Sequence, residues 1–303
     1  MIEETGNSLI IRTGEVCRVV QLENGPRRVD VGGYELHCEV LGAGAPLLIV
    51  HGGMGYGHRG FRPWLDALGE RRTLIYVDLP GNGGSDTPLD YEEWSGVEQL
   101  SDSLHHLKVG LGVESWSVFG HSFGGYVVQS YALDHPGDLA ALVVSCSTSV
   151  MDHMDESMRQ ARLASHSDEQ FQAIRDNLLA PKASDEEFDR ITAQVRSAYF
   201  ADPDFLGRDV PMPAGGSAAA FNATLRVWEN SDLSGRIERI VTPTLVLGAA
   251  RDWTFPVAVG ARRTHGLIAG STYHEFANSG HFPYVEENDE FISVVAGWLD
   301  GAA

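Results

Sequence analysis

Residues 120–125 read Gly-His-Ser-Phe-Gly-Gly and place a serine where nucleophilic chemistry is favoured. The stretch follows an apolar run at residues 115–119, typical of a strand, and precedes a helical pattern that begins at Phe123. A serine on a sharp strand-to-helix turn is lifted clear of the sheet, and glycines are needed around it because side chains would collide with neighbouring elements. The alternative is an ordinary glycine-rich turn. The context favours Ser122 as a nucleophile.

Asp252 and His281 have the positions expected of groups that activate such a serine. A serine hydroxyl is a poor nucleophile at neutral pH, so it needs an imidazole to take its proton and an acid to orient that imidazole. Asp252 follows a strand-like run at residues 244–247, and His281 lies in a loop before the last helical pattern. The alternatives are a helix-capping aspartate and a structural loop histidine. The chain order favours a catalytic triad of Ser122, Asp252 and His281.

The glycine-rich loop at residues 51–55 (HGGMG) follows another strand-like run and resembles an oxyanion-hole motif. Backbone N–H groups stabilise a developing oxyanion well because they are already oriented. The predicted donors are the N–H groups of Gly53 and Phe123. A phosphate-binding loop is excluded, since the loop contains no lysine and lacks the G-x-x-x-x-G-K spacing.

Apolar runs that alternate with helical patterns must position these residues, and they predict an α/β fold with a mostly parallel sheet flanked by helices. The predicted strands are at residues 34–41 (an edge strand), 46–50, 73–77, 115–119, 139–144, 244–247 and 272–276. The predicted helices between and after them are at residues 61–69, 97–111, 123–133 and 288–299. We expect both faces of the sheet to be buried.

Residues 150–235 interrupt this alternation with helical patterns at 151–164, 167–179, 184–199 and 217–228. A helical cap inserted into the sheet domain is predicted. The expected organisation is an N-terminal arm or hairpin at residues 1–28 (with apolar stretches at 8–12 and 16–22), a first core segment at 29–149, the cap at 150–235 and a second core segment at 236–303.

Large apolar side chains near the predicted site suggest a pocket for an apolar acyl or alcohol group. These are Trp253, beside the predicted acid, and Trp228, Met151 and Met154 from the predicted cap. For the cap residues, the alternative is packing of the cap against the core.

The composition of the 303-residue chain excludes several classes of protein. With 42 acidic and 22 basic residues its formal charge is −20, which disfavours binding to nucleic acid or to anionic membranes. No signal peptide or membrane-length apolar run is predicted. The three cysteines form no CxxC pair, so neither a disulfide framework nor a thiolate metal site is expected. A cytoplasmic protein without metal or cofactor is predicted.

These motifs together resemble the α/β-hydrolase superfamily from about residue 29 onward, and within it proline iminopeptidase-like hydrolases. Residues 51–58 (HGGMGYGH) are similar to that family's HGGPGxxH, with methionine replacing proline, and residues 78–85 (DLPGNGGS) are similar to its DQxGxGxS. The resemblance implies that true aminopeptidases of the family would use glutamates near the cap and beside the catalytic aspartate to bind the substrate's amino group. Here Trp253 follows Asp252, residues 218–221 contain no carboxylate, and Glu229 is the remaining candidate.

The sequence therefore predicts a serine hydrolase that cleaves a small-molecule ester, lactone or amide through an acyl-enzyme on Ser122. An aminopeptidase that acts on short peptides with an N-terminal proline is one alternative. A non-catalytic ligand-binding protein on a hydrolase scaffold is another, because a fold alone does not establish function.

Overall fold

The computed structural model describes residues 10–12, 15–17, 22–94, 96–165, 167–202, 204–205 and 215–302. Near the N-terminus, strands β1 (Ile10–Arg12) and β2 (Glu15–Cys17) pair in an antiparallel manner. The other residues of the apolar stretches at 8–12 and 16–22, in the predicted arm or hairpin, lie mostly outside the described residues.

Eight further strands form one sheet: β3 (Gly25–Asp30), β4 (Glu35–Gly42), β5 (Ala45–Val50), β6 (Arg72–Val77), β7 (Trp116–His121), β8 (Leu139–Ser145), β9 (Thr244–Ala249) and β10 (Thr272–Phe276). Their spatial order is β10-β9-β8-β7-β5-β6-β4-β3. The strands from β5 to β10 are parallel, whereas β3 and β4 pair antiparallel at one edge. The predicted α/β fold with a mostly parallel sheet is confirmed.

The described helices are α1 (Glu98–Gly110), α2 (Phe123–Asp134), α3 (Met154–Ala164), α4 (Asp168–Leu179), α5 (Asp185–Val195), α6 (Ala218–Asn230), α7 (Ala261–Leu267), α8 (Pro283–Glu286) and α9 (Asn288–Ala302). In the described part of the chain between β8 and β9, helices α3 to α6 occur and no strand does. The hydroxyls of Ser167, Ser184 and Ser217 cap α4, α5 and α6 by accepting a backbone N–H from the first turn. Each of these serines is the first residue of one of the predicted helical patterns. None of the helices in the described ranges combines the length and apolarity needed to cross a bilayer.

Alternate residues of the central strands point to opposite faces of the sheet. Leu48 and Val50 of β5 share one core cluster with apolar residues of α1 and α2, and Leu47 and Ile49 share a second cluster with residues of α9. All four side chains are fully buried. Because helices cover both faces, the strand has no polar face, which explains the continuous apolar run in the sequence.

Strand β3 was not predicted, and the expected arm boundary at residue 28 falls inside it. Alternate β3 residues are exposed, and Pro26 and two arginines replace the apolar run that identified the other strands. Such a composition suits an edge strand. The edge position assigned to residues 34–41 was therefore wrong, because β4 lies between β3 and β6.

The predicted helix at residues 61–69 is also wrong. The structure has two short 3-10 turns there, His58–Phe61 and Asp66–Glu70. Pro63 lacks an N–H donor and disfavours helical torsions at Arg62, whose ψ is 139°. The apolar spacing was correct, but the proline interrupts the helix.

Candidate active site

Ser122 occupies the turn between β7 and α2, with φ 57° and ψ −125°. Residues other than glycine rarely adopt this backbone conformation. The N–H of Ser122 stabilises it by donating to the Ser145 carbonyl of β8 at 2.9 Å. A Cβ on Gly124 would lie 2.3 Å from the His51 carbonyl oxygen, and one on Gly120 would lie 2.4 Å from the Gly124 carbonyl oxygen. Neither position has room for a side chain, so the glycines allow this sharp turn.

Ser122, His281 and Asp252 form a hydrogen-bonded chain beyond the carboxyl ends of neighbouring strands. The distance from Ser122 Oγ to His281 Nε2 is 3.0 Å, and that from His281 Nδ1 to Asp252 Oδ2 is 2.9 Å. An ionised carboxylate only accepts hydrogen bonds, so Nδ1 carries the proton and Nε2 is left to accept the serine hydroxyl. The side chains are buried, with residue exposures of 8%, 4% and 4%. The arrangement can generate a serine nucleophile.

Asp252 also caps the loop that carries it. Its Oδ1 accepts the N–H of Thr254 at 2.8 Å and that of Phe255 at 3.2 Å. One oxygen of the Asp252 carboxylate therefore makes the capping contacts, and the other contacts His281. The two backbone donors fix the carboxylate so that Oδ2 points at His281.

The loop after β5 brings a second set of groups to Ser122. A Cβ on Gly52 would lie 2.5 Å from the Ser122 Cβ, so the loop packs directly against the serine. His51 anchors the loop, because its Nδ1 lies 2.8 Å from the Gly52 carbonyl oxygen and its Nε2 accepts a backbone N–H from the loop after β6. Within the described residues, neither the Gly53 N–H nor the Phe123 N–H donates a hydrogen bond. Phe123 begins α2, where N–H groups have no acceptor inside the helix.

A cavity of about 200 Å³ opens over Ser122 and His281. Its wall is predominantly apolar and rich in aromatic rings, including Tyr56, Phe188, Tyr199, Phe221, Trp228 and Phe255. Among the lining residues that the structure describes there is no aspartate or glutamate, and Arg196 contributes a half-buried guanidinium. The cavity thus offers apolar surface beside the Ser–His–Asp group.

A family model for the alpha/beta hydrolase fold matches residues 45–288, about four-fifths of the chain. The chain belongs to the α/β-hydrolase family. This confirms the resemblance drawn from the motifs, and it makes the protein a hydrolase of that fold.

Individual relatives of this α/β hydrolase agree with that assignment. It is 27% identical over 290 residues to a proline iminopeptidase of Lactobacillus acidophilus, covering 88% of this chain and 95% of the relative. Among solved structures, an alpha/beta fold family hydrolase from Bacillus anthracis has a TM-score of 0.76 at 17% identity, covering 92% of this chain and 99% of that chain. An esterase from Exiguobacterium antarcticum has a TM-score of 0.65 at 18% identity, covering 92% and 100%. The two structures show a shared fold.

Of the four predicted pocket residues of the α/β hydrolase, the structure brings Trp228 and Met154 to the cavity wall. Trp253 and Met151 are not among the lining residues. The Trp253 indole N–H donates to the Ala198 carbonyl at 2.6 Å, and its ring packs among residues of the helical insertion. Met151 packs against the main core cluster. Proximity to Asp252 or to the insertion does not determine whether a side chain turns inward or toward the cavity.

Other wall residues were not predicted from the sequence, notably His153, Tyr199 and Phe255. Phe255 could have been found, because an aspartate that caps a turn holds the residue three positions later close to itself. For His153 and Tyr199 there is no comparable signal. Their helical patterns do not reveal which side chains face a cavity.

Within the part of the chain that the structure describes, two groups of ionisable side chains lie close enough together to share a metal ion: His37, His58 and Asp78, and His105, His135 and Asp138. In the first group, both imidazoles hydrogen-bond the Asp78 carboxylate. Burial alone would raise the pKa of Asp78, but these hydrogen bonds outweigh it and hold the pKa well below its usual range. In the second, the imidazoles stack at 4.3 Å with an interplanar angle of 7°. An ion cannot lie in the planes of two parallel rings. Neither group lines the cavity of the α/β hydrolase.

Glu286 ties the loop of His281 to the helical insertion. Its carboxylate oxygens accept the N–H groups of Gly280 and Ala201, each at 2.7 Å. The His281 N–H in turn donates to the Tyr199 carbonyl at 2.7 Å. Burial raises the pKa of Glu286 to about 7, against the opposing effect of its backbone donors.

The replacement Glu286→Gln is expected to change how stability depends on pH. A carboxyl whose folded-state pKa is raised contributes stability below its unfolded pKa of about 4.5 and loses it as pH rises through about 7. The stability of the wild type relative to Glu286→Gln should therefore fall between pH 4.5 and 7.5. We expect a fall of about 1–2 kcal/mol after allowance for partial exposure. Urea denaturation of both proteins across this range measures it, and a constant difference would contradict the expectation.

Proposed function

We propose that this α/β hydrolase cleaves a small ester, lactone or amide through an acyl-enzyme formed on Ser122. The observation that carries the proposal is the pair of contacts, 3.0 Å and 2.9 Å, that join Ser122, His281 and Asp252 at the wall of an aromatic cavity. We further propose that residues 150–235 form a cap, because wall residues such as His153, Phe188 and Trp228 come from this segment.

The chemistry follows from the positions of the donors and acceptors. Ser122 Oγ attacks the substrate carbonyl carbon while His281 Nε2 takes the hydroxyl proton. The N–H groups of Gly53 and Phe123 stabilise the oxyanion, and His281 then gives the proton to the leaving group. Water, deprotonated by His281, attacks the acyl-enzyme and restores the serine. Asp252 stabilises the imidazolium in both halves of the reaction.

An aminopeptidase acting on an N-terminal proline is the second candidate, favoured by the name of the Lactobacillus acidophilus relative. Such a substrate brings an ammonium group, which needs a carboxylate or comparable acceptors in a dry site. Glu229 is exposed and is not a wall residue, and the described wall contains no carboxylate that could pair with a cation. These observations favour a neutral ester or amide over a free amine.

The proposal is tested by labelling and by substrate choice. Incubation with a fluorophosphonate should modify Ser122, as located by peptide mass spectrometry. The kcat/KM for p-nitrophenyl butyrate should exceed that for proline p-nitroanilide by about 100-fold or more, since an unpaired ammonium is costly to bury. An unlabelled serine would refute the acyl-enzyme mechanism. Faster cleavage of the anilide, abolished by N-acetylation of the proline, would establish the aminopeptidase instead.

A further inference from the structure

His153, at the start of α3, is a polar residue on the cavity wall that the proposed mechanism does not use. The residue is 1% exposed, and its imidazole lines the same cavity as Ser122 and His281. Its Nδ1 is enclosed beside the backbone of Val150, whereas its Nε2 is less enclosed and has no hydrogen-bond partner among the described residues. A polar atom of a buried side chain is costly unless something hydrogen-bonds to it.

Hydrogen bonds hold the backbone of His153 in place. The Ser157 N–H donates to the His153 carbonyl at 3.0 Å, and the Ser157 hydroxyl donates to the Thr254 carbonyl at 2.7 Å. These bonds join the first turn of α3 to the loop that carries Asp252. A specificity group needs such support, because a loosely held side chain discriminates poorly.

Aromatic rings set the distance between His153 and the reacting groups. The His153 ring stacks on Phe255 with centroids 5.0 Å apart and meets Trp228 edge-on at 5.6 Å. Phe255 also contacts Trp228 at 5.9 Å and His281 at 5.8 Å. The imidazoles of His153 and His281 therefore contact the same phenyl ring, which places His153 close to the reacting groups.

His153 is suited to a neutral partner. Burial lowers the pKa of His153 to about 4, although the Val150 backbone and the carboxylates of Asp152 and Asp252 oppose this effect. The imidazole is uncharged at neutral pH, with one nitrogen that donates and one that accepts. A hydroxyl group can donate or accept, so it pairs with this ring in either tautomer.

We propose that His153 determines specificity by hydrogen-bonding a hydroxyl group on the apolar part of the substrate. The substrate class is then a hydroxylated ester or amide, with an aromatic or aliphatic body that packs on Phe255 and Trp228. This inference rests on the proposed function, since it concerns the substrate of the same serine.

Matched ester pairs provide the test. One series keeps the leaving group constant and compares p-nitrophenyl 3-phenylpropanoate with its 2-, 3- and 4-hydroxyphenyl analogues. The other series keeps the acetyl group constant and compares 2-phenylethyl acetate with the acetate esters of the 2-, 3- and 4-hydroxyphenyl analogues of its alcohol. In the wild type, kcat/KM for the best hydroxylated isomer should exceed that of its parent by about 10-fold or more.

Variants identify the source of that preference. His153→Phe should reduce the ratio to about 1 while the parent ester is cleaved at least as well. His153→Gln, which keeps a donor and an acceptor, should retain part of the preference. Met151→Leu is the control, because Met151 packs against the main core cluster and does not line the cavity, and it should leave the ratio unchanged. The rate of fluorophosphonate labelling of Ser122 checks that each variant retains a formed site.

The outcomes separate this inference from the proposed function. Efficient labelling and ester cleavage with no hydroxyl preference, or with a preference that His153→Phe retains, would overturn the role of His153 and leave the serine mechanism standing. No labelling and no cleavage of any ester would overturn both.

Discussion

Replacing Ser122 by alanine is expected to lower kcat for ester hydrolysis by roughly 10⁵-fold or more, because no acyl-enzyme can form without the hydroxyl. The fold should survive, since the one described hydrogen bond of Ser122 Oγ is to His281, and the backbone bond to Ser145 is unaffected. Stopped assays with purified protein, corrected for spontaneous ester hydrolysis, measure the loss.

A second buried serine makes the matched control. Ser147 is 1% exposed, its Oγ has no hydrogen-bond partner among the described residues, and it lies beside Gly125 of the same turn. Ser147→Ala removes the same atom close to the site, so kcat should change only a few-fold. Turnover of Ser122→Ala comparable to that of Ser147→Ala would show that the serine is not the nucleophile.

The second large effect is expected for Asp252→Asn, with a loss of about 10³–10⁴-fold in kcat/KM. The backbone N–H groups of Thr254 and Phe255 need an oxygen acceptor, so the amide oxygen takes the place of Oδ1. The amide NH₂ then faces His281 Nδ1, which must accept rather than donate. The proton moves to Nε2, and the imidazole can no longer take the proton of Ser122. Measurements of kcat/KM against pH give the size of the loss.

Asp30→Asn is the control for the capping role of Asp252. Asp30 Oδ1 accepts the N–H groups of Gly32 and Gly33 at 2.8 Å and 3.0 Å, the same pattern without a histidine. Its replacement should leave kcat/KM unchanged, while thermal denaturation reports any cost to the turn. A loss of less than about 10-fold for Asp252→Asn would show that the orientation of His281 does not depend on the carboxylate.

The arrangement of Ser122, Asp252 and His281 could be predicted because each residue is fixed by local structure. The glycines around Ser122 require a sharp turn, and Asp252 and His281 follow the strands β9 and β10 along the chain. The carboxyl ends of parallel strands share one edge of the sheet, so order along the chain becomes proximity in space. The structure places the three side chains in contact, and their catalytic roles remain proposals.

The cavity wall could not be predicted in the same way. It includes side chains from the loop after β5, from α3 to α6, from the loop after β9 and from α8. The packing of these elements against one another decides which side chains face the cavity. Trp253 and Trp228 are both large and apolar and both lie near the site, yet one packs inward and the other lines the cavity. Periodicity identifies a helix but not its neighbours.

The backbone of Ser122 makes this position costly for any residue with a side chain. Holding a non-glycine residue in that conformation costs roughly 1–3 kcal/mol, more than the ~0.5–1 kcal/mol of chain entropy that a glycine would cost. On these terms alone, glycine at residue 122 would give the more stable fold. The serine therefore weakens the fold at the point where the proposed mechanism needs its hydroxyl.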